Sequence, residues 1–360
     1  MQDITRVSPI SRAVIVAAAI AIMVFFVQAA ASIIGPMLLA AFIAIIATPP
    51  LRWLRRKRVP KWLALAVIIL AFFEVGSLLV LVFTGQLEGF RDGLPNYQSR
   101  LVLLSDQMGS WLEGLGVDNA REALKEIYDP ALAIGLVRAA LSNVRDTFGT
   151  GLLVLLAVIF MLLEAAGLSA KLKTAFNLTD EGEARIQRVS SAINHYMVIK
   201  SIASIATALC IWACLRIFGI DFALLWAILA FLLNFIPFVG SLLMTVPAVL
   251  MALVQTDLPT SLLVALGYFA TNTVIGSILE PRVMGRGLGI STLAVFLSLL
   301  LWGWVLGTVG VFLAVPITMV LIITLDASPQ TRPIAVLLGS KVTEKPEPKE
   351  EKSTAEGAAD

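Results

Sequence analysis

Polar groups that interrupt long apolar runs are the residues of this chain best placed to do chemistry. The stretch FLLNFIPFVGSL (231–242) holds an asparagine, a proline, a glycine and a serine where an apolar helix would otherwise continue. In hydrocarbon such side chains must face protein or water, so they predict contact with a polar ligand or an ion. The uncharged candidates are Asn234, Pro237, Gly240, Ser241, Thr271 and Asn272.

Each uncharged candidate also has a purely structural interpretation. The amide of Asn234 could bond a backbone carbonyl that Pro237 leaves free. Gly240 and Ser241 would open a helix whose N-terminal N–H groups suit an anion or a polar oxygen, but Ser241 could equally be an N-cap. The Thr271 and Asn272 pair could instead bond a neighbouring helix. The sequence leaves these alternatives open.

Two carboxylates are candidates for ion coupling. Glu74, in AFFEVGS, lies near the middle of an apolar run, where a charge costs at least about 2.5 to 3.5 kcal/mol. It should therefore be protonated, paired or in contact with water. Glu280, in LEPRVMGRG at the end of another run, could bind a proton or cation, or pair with Arg282 or Arg286. Its position near water favours the ion pair.

Other kinds of chemistry have little support. The single histidine, His195, is too few for a histidine metal site or a catalytic triad. Cys210 and Cys214 lie four residues apart inside an apolar run and are expected to pack as small apolar side chains. The glycines of GRGLG lack the strand–turn–helix context of a nucleotide site. We therefore predict no metal, no cofactor and no enzymatic activity.

The elements that carry these residues are predicted to be membrane helices. The chain of 360 residues is 58% hydrophobic and only 14% charged, which predicts an all-α, multi-pass membrane protein in a lipid bilayer. A net charge of +2, with the basic residues in short loops, gives no reason to expect nucleic acid. The eight apolar segments are 13–31, 34–49, 62–84, 150–168, 200–218, 221–255, 259–279 and 290–325.

Basic residues predict the orientation of these segments. The loop LRWLRRKRVPKW (51–62) is the densest basic cluster and is expected on the cytoplasmic side, as are both termini. The first segment resembles a secretory signal but is expected to remain as an uncleaved span. The chain then divides into N-terminal spans (1–84), an extracytoplasmic amphipathic helical segment (85–149), a span with a cytoplasmic loop (150–199), a core (200–325) and a disordered cytoplasmic tail (326–360).

Two of the segments are about 35 residues long and are interrupted near the middle. Each half has about 15 residues and reaches only about 22 Å, less than the roughly 30 Å of hydrocarbon. Both are therefore predicted to be re-entrant hairpins or broken helices, with tips at Pro237–Gly240 and at Gly303–Gly307. Because one span, 259–279, separates them, they should enter from opposite faces in an inverted arrangement.

The same stretches resemble a known family. The resemblance is carried by LNFIPFVGSLLMTVPAVLMAL, by LEPRVMGRGLGISTLAVFLSLLLWGWVLGTVGVFLAVPI and by the basic loop IATPPLRWLRRKRVP. These stretches are similar to the autoinducer-2 exporter family of bacterial transporters, and the similarity covers roughly residues 10–325. The resemblance implies an eight-segment inner-membrane protein that forms a homo-oligomer and exports a small polar solute. Some members are linked to sodium–proton exchange.

Three functional hypotheses follow. The first is a secondary transporter or exporter of a small polar solute, with its site between the two hairpins. The second is a sodium or other cation/proton antiporter that uses Glu74 or Glu280. The third is a membrane scaffold without a solute, for which two interrupted helices would have no use. No ATP-binding motif occurs in the sequence, so active transport would depend on an ion gradient or on the gradient of the solute itself.

Overall fold

A computed structural model describes residues 9–116, 151–176, 179–284 and 290–339 of the chain. Within these ranges the secondary structure is helical apart from one isolated bridge between Ile290 and Gly339. The helices are α1 Pro9–Ala29, α2 Ala31–Arg56, α3 Lys61–Gly114, α4 Gly151–Phe176, α5 Asp180–Ile217, α6 Ala223–Leu233, α7 Val239–Gln255, α8 Leu258–Thr271, a π-helix Asn272–Leu279, α9 Glu280–Met284, α10 Thr292–Leu325 and α11 Arg332–Leu338.

Several of these helices are long and apolar enough to cross a membrane. By length and composition they are Ala31–Arg56, Lys61–Phe90, Asp180–Ile217, Leu258–Met284 and Thr292–Leu325. Shorter apolar helices are Val14–Ala29, Leu153–Glu164, Ala223–Leu233 and Val239–Gln255. The predicted fold class, an all-α multi-pass membrane protein, is confirmed.

Three predicted boundaries differ from the structure. The first break falls at Ala30 rather than at Gly35–Pro36, and Gly35 is buried against Val309 of α10. A Cβ atom at this position would make ordinary van der Waals contact with Val309, so Gly35 packs between the helices without being required there. The 54-residue helix α3 continues past the predicted end of its apolar run at residue 84. Residues 332–338 of the predicted disordered tail form α11, while residues 117–149 and 341–360 lie outside the described residues.

The first interrupted segment is a helical hairpin made by α6 and α7. The chain turns between them, and Phe238 adopts a left-handed φ of 61°. The helices approach so closely that a Cβ atom on Gly240 would lie 1.9 Å from the carbonyl oxygen of Leu233. At the open end of the hairpin, the backbone N–H of Asp221 donates to the side-chain oxygen of Gln255 at 2.7 Å.

The second interrupted segment, α10, also folds back on itself. Gly307 leaves the helical conformation, with φ 63° and ψ −145°. The indole N–H of Trp302 donates to the hydroxyl of Thr318 at 3.0 Å, although 16 residues of straight helix would separate the two by about 24 Å. A Cβ atom on Gly310 would lie 1.8 Å from the carbonyl oxygen of Trp302. The two halves of α10 are therefore packed against each other.

The turn of the first hairpin packs against both arms of the second. Ile236, in the turn of the first hairpin, shares a buried apolar cluster with Leu299 and Ala314 from the two halves of α10. Their open ends lie at opposite ends of the stretch Leu258–Met284, because α7 ends just before it and α10 begins just after it.

We expect Gly240→Ala and Gly310→Ala to destabilise the protein by roughly 1 to 3 kcal/mol each, because the added methyl groups would overlap backbone oxygens. The matched control is Gly276→Ala, where an added Cβ would meet nothing within 4 Å. Thermal unfolding of the purified protein in detergent measures the difference. Equal melting temperatures for all three variants would contradict the close approach of the hairpin arms.

Candidate functional site

The turn of the first hairpin is tied to α5 by a polar contact. The side-chain amide of Asn234 donates to the hydroxyl oxygen of Ser204 at 2.9 Å. Ser204 is fully buried, whereas Asn234 is half-buried at the end of α6. Ligand contact and backbone capping stay predictions for Asn234, and the structure adds a contact of its amide with a buried hydroxyl on α5.

A buried ion pair involves Lys200, which lies one turn before Ser204 on α5. The ammonium group of Lys200 lies 2.8 Å and 3.0 Å from the two carboxylate oxygens of Glu280. Only 7% and 12% of their side-chain surfaces are exposed. The ion pair expected for Glu280 is therefore present, but among the described residues its partner is Lys200 and not Arg282. Arg282 is exposed, and Arg286 lies outside the part of the chain that is described.

The buried face of α5 explains how these groups come together. Buried polar side chains recur every three or four residues along α5 and therefore follow one side of the helix. They are Tyr196, Lys200, Ser204 and Thr207. Lys200 and Ser204 are about 6 Å apart along the helix axis. A row of polar side chains thus leads from the start of α9 to the turn of the first hairpin. It consists of Glu280, Lys200, Ser204 and Asn234. We refer to these four residues as the polar row.

Burial makes the ion pair sensitive to the loss of either charge. Removing both charged groups from water costs several kcal/mol per ion, which their mutual attraction offsets only while both are present. If the pair separated, the carboxylate could bind a cation in place of Lys200, and the ammonium group could bind a polar solute in place of Glu280. The pair is consequently the strongest electrostatic feature of the described bundle interior.

The π-helix Asn272–Leu279 directly precedes Glu280 and was not predicted. The sequence predicted a regular span over 259–279, but the structure changes from α- to π-helix in its middle. Interruptions of this kind occur frequently at functional sites. Thr271 donates its hydroxyl to the carbonyl of Gly267 at 2.8 Å, within its own helix, and Asn272 is half-buried at the first position of the π-helix.

The remaining candidates fall into two groups. Pro237, Gly240 and Ser241 lie at the first turn, where the hydroxyl of Ser241 donates to the carbonyl of Phe238 at 2.8 Å. Ser241 is the third residue of α7, so the N-cap assignment is wrong.

Gly303 and Gly307 lie at the second turn, and a Cβ atom on Gly303 would lie 2.8 Å from the side chain of Val311. Both glycines therefore belong to the turn of the second hairpin.

Glu74 does not belong to this site. It is exposed on α3, and it forms no ion pair within the part of the chain that the structure describes. Lys200, by contrast, was not singled out from the sequence, where it is the first residue of the predicted span 200–218. The spacing of Tyr196, Lys200, Ser204 and Thr207 is the signal that could have found it.

A bundle of apolar helices, two of them broken, with a buried polar row in its interior is typical of a multi-pass membrane transporter. Comparison with known sequences gives the family. A family model described as AI-2E family transporter matches residues 14–330, and the chain belongs to this family.

Individual relatives agree with this assignment. The AI-2 transport protein TqsA of Escherichia coli is 39% identical over 313 residues, which cover 87% of this chain and 91% of TqsA. A putative transport protein of Haemophilus influenzae is 38% identical over 331 residues, covering 89% of this chain and 94% of the relative. A sodium-lithium/proton antiporter of Halobacillus andaensis is more distant, at 22% identity, covering 77% of this chain and 85% of that protein.

We expect Lys200→Met and Glu280→Gln each to destabilise the protein by about 3 to 5 kcal/mol, because each leaves one buried charge unpaired. The double variant should recover most of this loss, since neither charge then remains. Arg282→Met, on the exposed neighbour of Glu280, serves as the control and should change stability by less than about 0.5 kcal/mol. Melting temperatures in detergent give the cycle, and strictly additive losses would disprove the pairing.

Proposed function

We propose that the protein is a secondary transporter that exports a small polar solute across the bacterial inner membrane. The solute site would lie between the two hairpin turns, with the polar row on one side. The observation that carries the proposal is the contact of Ile236 with Leu299 and Ala314, which joins the turn of the first broken helix to both arms of the second. Transporters of this type gather their sites between broken helices.

Helix lengths support re-entrant hairpins. The 11 residues of α6 reach about 16 Å and the 17 residues of α7 about 25 Å. The arms of α10, residues 292–306 and 308–325, reach about 22 Å and 27 Å. All four are shorter than the roughly 30 Å of hydrocarbon. With the basic loop 51–62 and both termini in the cytoplasm, the first hairpin would enter from outside and the second from inside.

The relatives suggest the solute to test first. The name of TqsA is AI-2 transport protein, and the matched region covers most of both chains. Autoinducer-2 is a small polar molecule, and the amide and hydroxyl groups of Asn234 and Ser204 can both donate and accept hydrogen bonds with such a solute. Thr271, Asn272, Ser241, Gly303 and Gly307 remain proposed lining residues.

We expect Asn234→Leu to slow autoinducer-2 efflux from proteoliposomes roughly tenfold, because a lost hydrogen bond is worth about 1 to 1.5 kcal/mol. Thr84→Val, which removes a hydroxyl that bonds only within α3, is the matched control and should transport at the normal rate. Thermal unfolding verifies that both variants are folded. Unchanged efflux for Asn234→Leu would count against the site.

The buried ion pair favours a second candidate function, cation/proton antiport. The Glu280 carboxylate could bind a proton and a cation in turn if Lys200 moved away, and a distant relative is named a sodium-lithium/proton antiporter. Glu280 is the better coupling candidate of the two predicted carboxylates because the polar row links it to the turn of the first hairpin. Glu74 remains a candidate on the exposed face of α3.

We expect the double variant Lys200→Met/Glu280→Gln to distinguish the two functions, because it leaves no unpaired buried charge. If the protein is an antiporter, a sodium gradient will move protons across liposomes holding the wild type but not those holding the double variant. If it is an uncoupled exporter, both proteins will export solute and neither will move protons. A pH-sensitive dye inside the liposomes measures the proton movement.

A further inference from the structure

The turn between α2 and α3 carries a dense group of exposed cations. Since α2 and α3 are both long and apolar enough to cross a membrane, the chain that joins them lies at the membrane surface, at the level of the lipid headgroups. We call this group of side chains the cationic turn. Its members are Arg52, Arg55, Arg56, Lys57, Arg58 and Lys61.

The charges of the cationic turn are not balanced by carboxylates. Within the ranges that the structure describes, none of the six cations forms an ion pair. The sequence contains no Asp or Glu between Asp3 and Glu74. Helix α4, which packs against α2, carries Glu164, but that carboxylate is paired with Lys171. The positive charge at this turn is therefore available to an anion from outside the protein.

Two exposed indole rings flank the cations. Trp53 is 60% exposed and Trp62 is 71% exposed. The ammonium group of Lys57 lies 5.8 Å from the centre of the Trp53 ring. Tryptophan is enriched at membrane interfaces, where its ring lies at the level of the headgroups. A free phosphate ion would leave both rings in water, whereas a phospholipid supplies glycerol and acyl carbons next to its phosphate group. The rings therefore favour a lipid.

The backbone of the turn holds an arginine in a strained conformation. The N–H of Arg58 donates to the carbonyl of Arg55 at 3.0 Å. The N–H of Val59 donates to the carbonyl of Leu54 at 3.3 Å. These two bonds form a Schellman motif, whose left-handed position usually holds glycine. Here that position is Arg58, with φ 65°. Because glycine would relieve the strain, an arginine at this position indicates a use for its charge outside the fold.

We propose that the cationic turn and its two indole rings form a binding site for the headgroup of an anionic phospholipid. Arg52, Arg55 and Arg56 are three and four residues apart at the end of α2, so their guanidinium groups lie on one side of the helix and can bind phosphate oxygens. Trp53 and Trp62 would pack against the glycerol and the first acyl carbons. Clustered cations beside a membrane helix attract anionic lipids in proportion to their number.

Native mass spectrometry of the full chain in detergent tests this site, because it resolves bound lipids one molecule at a time. The protein is titrated with phosphatidylglycerol or with phosphatidylcholine, and the affinities are compared. We expect a preference for phosphatidylglycerol, and we expect Arg52→Gln/Arg55→Gln/Arg56→Gln to weaken its binding at least tenfold, since each cation contributes about fivefold. The matched control, Arg52→Lys/Arg55→Lys/Arg56→Lys, keeps the charges and should stay within about threefold of the wild type. No preference in the wild type, or equal losses in both variants, would overturn the proposal.

Arg58→Gly separates lipid binding from folding, because the two effects have opposite signs. We expect its melting temperature to rise, since glycine adopts the left-handed conformation without strain. We expect its affinity for phosphatidylglycerol to fall about fivefold, since one cation is lost. Arg216→Gln, which removes a single exposed cation in the last turn of α5, is the control and should change the affinity less than twofold. A more stable Arg58→Gly protein with unchanged phosphatidylglycerol affinity would remove Arg58 from the site and contradict the inference drawn from its strain.

Discussion

A polypeptide backbone that leaves a helix inside a bilayer must find its hydrogen-bond partners within the protein, because no water is available there. The first hairpin meets this constraint almost entirely within its own turn. The backbone N–H groups of Phe235, Ile236, Val239 and Gly240 donate to carbonyl oxygens two to four residues earlier, and Pro237 has no N–H to satisfy. The proline that breaks the helix therefore also removes one of the donors that the break would expose.

Close packing of the arms follows from this self-contained turn. Since the turn needs no outside partner for its amides, the two arms can approach until Gly240 touches the carbonyl of Leu233, and the side of the turn remains free to pack on α10. The second hairpin uses the same solution with different residues, because Gly307 supplies the turn and Gly310 allows the close approach. The glycines and the proline thus have separate mechanical roles, although all of them interrupt the hydropathy pattern in the same way.

Those local roles explain what could be predicted from the sequence. Prolines, glycines and apolar runs act over a few residues, so the helical class, both interruptions and the importance of Asn234 were within reach. The pairing of Lys200 with Glu280 joins residues 80 positions apart, and no local pattern carries that information. The continuation of α3 to Gly114 was missed for a different reason, since the apolar pattern ends while the helical backbone does not. The π-helix before Glu280 likewise leaves no periodic signal that separates it from an α-helix.

We propose that the buried ion pair serves function rather than stability. Apolar side chains of similar size would fill the same space at equal or lower free energy, so the pair is weak evidence for a purely structural role. Its position supports this argument, because Lys200 is one turn from Ser204, which holds Asn234 at the hairpin turn.

The π-helix sets the direction in which Glu280 leaves the chain, so any change in its winding would alter the carboxylate's distance from Lys200. A solute or proton that reached the turns would therefore meet a charged pair whose geometry depends on a deformable helix, on the same side as the polar row. The opposite side, formed by Leu299 and Ala314 of α10, is apolar.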